Sequence, residues 1–138
     1  MKKRLLGTLL SAAFLGSIAT AAPATAAPAG PDDNFHVCYF NSDCLLGYTS
    51  GLIKWNWGIP NITGKVYSEP GSGSSTTAVF EAFDGSKMIA SDSRTVASGN
   101  KDLAMLLGNA NVDRVKITVC KNFAAGTLCG RPENYSRA

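Results

Sequence analysis

The chain has 138 residues, with 13 Lys+Arg, 10 Asp+Glu and a single His. Its positive surplus is confined to Lys2, Lys3 and Arg4, so residues 27–138 carry as many acidic as basic side chains. Nucleic-acid binding needs clustered cations to neutralise phosphates, and an anionic membrane surface needs a polybasic patch. Neither partner is therefore expected.

The basic head is followed by an apolar run, Leu5 to Ala22, broken only by Gly, Ser and Thr, and then by Ala24-Thr25-Ala26. That order is a secretory signal peptide with an A-x-A cleavage site. Residues 1–26 are read as the signal, 27–34 as a flexible N-terminal tail, and 35–138 as one β-rich domain. No later apolar run is long enough to span a membrane, so the product is expected to be secreted. A chain of this size buries roughly two-thirds of its unfolded surface and can hold a core without a cofactor.

In chain order, Phe35 to Phe40 has the aromatic and β-branched content of a strand, and Asn41-Ser42-Asp43 turns the chain. Leu52 to Ile59 alternates strictly, with Ile53, Trp55, Trp57 and Ile59 on one face. Gly64 to Tyr67 is a further short strand. Glu69 to Thr77 reads as a soft Gly/Ser loop; it lacks the Gly-Lys-Ser/Thr ending of a phosphate loop. Ala78 to Phe83 and Ser86 to Ala90 flank Asp84-Gly85, a pair suited to a type I′ hairpin turn. Lys101 to Leu107 predicts one short helix, capped by Ser98 or Asn100 and stopped by Gly108. Val115, Ile117 and Val119 alternate in the last strand. The sum is a mainly β, disulfide-bonded sandwich with one short helix.

Four cysteines in an exported chain imply two disulfides. Three connectivities are open. The local pairs Cys38–Cys44 and Cys120–Cys129 are favoured because each brackets a turn, and the alternative would clamp the two ends of the chain together. Spacings of C-x5-C and C-x8-C do not suit zinc, so no metal or cofactor is expected.

Catalytic chemistry finds little support. His36 stands alone in a strand-like run, and Gly71-Ser72-Gly73 lacks the strand and helix of a nucleophile elbow. The carboxylate pairs Asp32/Asp33 and Glu81/Asp84 sit in tail and turn. No enzyme is expected. Trp55 and Trp57, with Tyr39, Tyr48 and Tyr67, form either core or a carbohydrate- or partner-binding face, and the alternation around the Trp residues favours core.

Asp102-Leu103 followed by Asn111-Val112-Asp113-Arg114 and the strand to Val119 resembles the βγ-crystallin Greek key of secreted bacterial metalloproteinase inhibitors. Val119-Cys120 to Leu128-Cys129 is similar to the opening strand and corner of such a key, and Val37-Cys38 to Gly47 repeats it. A Val separates Asn111 from Asp113, and Val115-Lys116 stands where the family often has Ser-Ser, so no calcium residues carry over. The resemblance implies a two-sheet fold and extracellular peptidase inhibition by a rigid loop. Two loops are candidates, Glu69–Thr77 and Lys121–Leu128; the second, with Lys121, Asn122, Phe123, Gly126 and Leu128, is favoured because its disulfide stiffens it while the Gly/Ser loop is soft. The rival expectation is an antibacterial, toxin-like or cell-wall interaction protein.

Overall fold

The computed structural model describes residues 31–40, 43–55 and 58–137, with only the backbone of Asp43. The signal peptide, the Asn41-Ser42 turn and Trp57 lie outside the described residues. Nine antiparallel strands appear among those described: β1 Asp33–Phe40, β2 Asp43–Lys54, β3 Asn61–Ser68, β4 Ser75–Asp84, β5 Lys87–Val96, β6 Gly99–Leu106, β7 Arg114–Phe123, β8 Gly126–Cys129 and β9 Glu133–Ser136. One sheet runs β1-β2-β3-β6 and the other β5-β4-β7, with β8 and β9 pairing different stretches of β7. The chain changes sheet between β3 and β4, β5 and β6, and β6 and β7. Thus β6 returns beside β3 and β7 beside β4, a Greek-key sandwich.

Period-two alternation builds the space between the sheets. Phe35, Val37, Ile53, Ile62 and Val66 point inward from one sheet, and Ala78, Phe80, Ala82, Val115, Ile117 and Val119 from the other; all are buried. Phe35 meets Phe80 edge-on at 6.1 Å. Gly51 and Gly64 face each other across β2 and β3 because a Cβ on Gly51 would lie 1.9 Å from the Thr63 carbonyl oxygen.

The expected helix is absent: residues 99–106 are strand β6, paired with β3 from Ser68↔Gly99 to Asn61↔Leu106. Lys, Leu, Ala and Met all favour helices, but propensity is a weak prior. A two-turn helix bears the full cost of nucleation, whereas the open edge of β3 offers a complete ladder. Leu103, Met105 and Leu107 are buried at alternate positions, which is the strand period.

Three boundaries also move. The strand expected at Leu52–Ile59 is β2, which starts earlier and ends at Lys54, with Trp55 buried just beyond it. The tail ends two residues sooner, because Asp33 and Asn34 already pair with Ile53 and Leu52. The β4–β5 turn falls on Gly85-Ser86, since Ala82 pairs Ala90 while Phe83 pairs Met88, and the bulge at Ile89 shifts the register.

Both ends of the domain close on Trp55. Its Nε1 donates to Asp33 Oδ2 at 2.8 Å, and the Arg137 guanidinium lies 5.0 Å from its ring centroid. Arg137 also donates to the carbonyls of Trp55, Gly58 and Val112. A Trp so enclosed is core, as its alternation implied, and not part of an exposed aromatic face.

Candidate functional site: the two stapled hairpins

Both disulfides take the local pairing. Cys38–Cys44 closes the β1–β2 hairpin, and Cys120–Cys129 joins residues directly opposite each other on β7 and β8. No free cysteine is found among the described residues. His36 Nε2 lies 3.3 Å from Cys44 Sγ, yet a disulfide sulfur offers a metal no thiolate.

The hairpins meet at one end of the sandwich. Tyr39, at the end of β1, is buried, with its ring 4.7 Å from Phe40 and 6.2 Å from Phe123 by centroid. Gly130, just after β8, lies against the same strand end; a Cβ there would come within 1.8 Å of the Tyr39 carbonyl oxygen. Only glycine permits so close an approach. Phe40 and Phe123, exposed by 54% and 37%, stand against the buried Tyr39, and Leu128, exposed by 60%, borders the same hollow as Phe123. An open hollow of about 460 Å³ is lined by Phe123, Ala125, Gly126, Thr127 and Leu128.

Of the loop residues expected from sequence, Phe123, Gly126 and Leu128 reach this surface. Lys121 does not, and the expectation that it contacts a partner is corrected. It is fully buried between the sheets, and its Nζ donates to Leu46 O at 2.9 Å and to Ser68 Oγ and Thr76 Oγ1 at 3.0 Å. Burial lowers its pKa from the ordinary lysine value, and Glu69 offsets part of that shift. Asn122 lies on the outer face of the sheet and is tied to the framework beneath the hairpin. Its Nδ2 donates to Ser75 Oγ and Thr77 Oγ1, and its Oδ1 accepts from Thr127 Oγ1. Both side chains are engaged within the fold, and the apolar side chains of the hairpin are the exposed ones.

The loop after β3 is less soft than its composition implies. Ser72 Oγ donates to Glu69 O at 3.0 Å and meets Ser74 Oγ at 2.9 Å, while Glu69 N donates to Leu46 O. Two of the four carboxylates weighed for catalysis are engaged elsewhere. Asp33 holds Trp55, and Glu81 pairs with Lys116 at 3.6 Å.

Phe40 was passed over in the sequence as one more residue of a buried strand. The signal that could have found it is its place immediately beside a turn closed by a disulfide. Tyr48 and Tyr67 do form an outer aromatic face, as entertained from sequence, but with His36 rather than with Trp55 or Tyr39. Tyr48 stacks on Tyr67 at 5.0 Å and 27°, and His36 lies 5.0 Å from Tyr48.

Two disulfides fit an oxidising environment. No helix among the described residues is long and apolar enough to cross a membrane. No protein family, curated protein or solved structure matches this chain.

Proposed function

We propose that the protein is an exported, non-enzymatic binding protein whose partner is another protein, specifically an extracellular peptidase that it inhibits. One observation carries this reading: Phe40, Phe123 and Leu128 stand in solvent on two hairpins, each closed by a disulfide and joined through Tyr39. Adjacent large apolar side chains on a small soluble protein mark an interaction site. Covalent closure means that little conformational freedom is lost on docking, and preorganisation of this kind raises affinity. Kinship with the βγ-crystallin-like inhibitors belongs to the same proposal, supported by the Greek-key return of β6 to β3 and β7 to β4.

The test is titration of the oxidised chain, residues 27–138, against a panel of secreted metallo- and serine peptidases at stoichiometric ratios. Inhibition of one class with a 1:1 end point is expected. Phe123→Ala or Leu128→Ala should weaken it about tenfold or more, as for central apolar anchors of other interfaces. A chain inert against every class overturns the proposal, as does inhibition indifferent to both substitutions.

A further inference from the structure

Beyond the peptidase reading, and independent of it, the outer face of the β1-β2-β3-β6 sheet carries a line of aromatic rings bordered by polar groups. Register places its side chains in rows across the strands. Tyr48 lies opposite Tyr67, and Tyr67 opposite Asn100. The next row is His36, Ser50, Lys65 and Asp102, and the one after it Asn34, Leu52, Thr63 and Ala104. Thr49 and Val66, the neighbours of Tyr48 and Tyr67, are fully buried, so the two tyrosines face outward.

Three rings therefore stand in line on β1, β2 and β3. Tyr48 is the only ring that Tyr67 contacts among the described residues, and Tyr67 itself is half-buried, with Asn100 opposite it on β6. Asn100, Lys65 and Asp102 lie beside it in the register, and Asn100 and Asp102 are exposed. Lys65 Nζ sits 5.9 Å from the Tyr48 ring centroid, and neither Lys65 nor Asp102 enters an ion pair among the described residues.

We propose that this face binds a neutral glycan built of pyranose rings. A pyranose offers an apolar C–H face that an aromatic ring desolvates, and a rim of hydroxyls that both donate and accept. Tyr67 supplies the ring, Lys65 and Asn100 supply donors, and Asp102 and Asn100 supply acceptors. The charge of the face selects for neutrality. Lys65 and Lys54 are set against Asp102, which is no cluster for a polyanion. Apart from Leu52 and Ala104, the rows beside the rings are hydroxyl, amide, imidazole and charged groups, too polar for a dry protein interface core.

The test uses the oxidised chain with chitohexaose and cellohexaose in calorimetric titrations, and with insoluble chitin and cellulose in pull-downs. Binding to at least one of them is expected. Tyr67→Ala should weaken it about tenfold, the scale of one lost aromatic contact, Tyr67→Phe should largely retain it, and Phe123→Ala should leave it unchanged. Asn100→Ala, at an exposed position, gives a second reading should Tyr67→Ala fail to fold, and is expected to weaken binding severalfold. No binding to any of the four probes at millimolar sugar overturns the inference. So does binding that ignores Tyr67→Ala and Asn100→Ala, or a Tyr67→Ala chain that loses peptidase inhibition instead, which would make this face an extension of the protein interface. Peptidase inhibition by Tyr67→Ala at full strength, with sugar binding lost, supports the inference and keeps the two surfaces separate.

Discussion

Replacing Lys121 by Met tests the buried cation inside the sandwich. Met keeps most of the aliphatic stem but removes the ammonium that donates to Leu46 O, Ser68 Oγ and Thr76 Oγ1. Leu46 O still accepts from Glu69 N, and Ser68 Oγ still donates to Ser74 O, so Thr76 Oγ1 is the acceptor left without its partner. One orphaned buried group costs about 1–3 kcal/mol, and relief of the charge's desolvation offsets part of that. A net loss of about 1–2 kcal/mol at pH 7 is expected from these two effects. The pH dependence is more diagnostic. Burial lowers the Lys121 pKa in the folded chain, so between that value and the unfolded 10.5 the unfolded chain binds more protons. Stability of the native protein must rise with pH across that window, by at most about 1.4 kcal/mol per pH unit for one proton. Tyr135 acts in the opposite direction. Its pKa is raised by burial, so its contribution is lost as pH rises above the unfolded tyrosine value. Both chains contain Tyr135, and the difference between them isolates Lys121. Urea melts of native and Lys121→Met chains at pH 7 to 10 should show a gap that widens with pH. A gap that narrows, or a variant more stable than the native chain at every pH, would refute a satisfied but desolvated ammonium.

Three further outcomes follow from the same packing. Trp55→Ala should cost about 3–5 kcal/mol in urea melts, as for other fully buried large side chains, because Trp55 is wholly enclosed between Asp33 and Arg137. Gly51→Ala should lose about 1–3 kcal/mol in thermal melts, since its new Cβ meets the backbone of Thr63 rather than a side chain that can swing away. Replacing both Cys120 and Cys129 by Ala should lower stability by about 2–3 kcal/mol on the chain-entropy account of a loop this short. The same pair should weaken peptidase inhibition by more than the loss of folded protein explains, measured at a temperature where the chain remains folded.

The sandwich was legible wherever one face alternates. Phe35 to Phe40, Ala78 to Phe83, Lys87 to Ala90 and Val115 to Val119 were all strand-like in sequence and are strand in the fold. The local disulfides were legible for a related reason: each pair brackets a turn, and the strands of a hairpin bring its ends together. Strand β6 was not legible, because Lys101 to Leu107 satisfies a helical as well as a two-residue period over so short a stretch. Only the free edge of β3, a feature of the tertiary fold, decides between them. The aromatic line of His36, Tyr48 and Tyr67 could not be read either, since it depends on the register of two hairpins rather than on spacing along any one strand.

The exposed apolar end follows from the alternation itself. The inward stripe of β7 is Val115, Ile117, Val119, Lys121 and Phe123, and that of β1 is Phe35, Val37 and Tyr39. The first three residues of the β7 stripe are sealed between the sheets, while Phe123 keeps the parity of the stripe and is partly exposed. Its ring contact is Tyr39, the last inward residue of β1. The exposed apolar cluster is thus the hydrophobic core continued past the end of the sandwich, not a patch added to its surface. Lys121 stands in that stripe between the sealed part and the open part, held by three oxygens from β2, β3 and β4. The buried ammonium fixes β7 against three neighbouring strands immediately before the hairpin. It follows that Lys121→Met should degrade inhibition as well as stability, although Lys121 touches no partner.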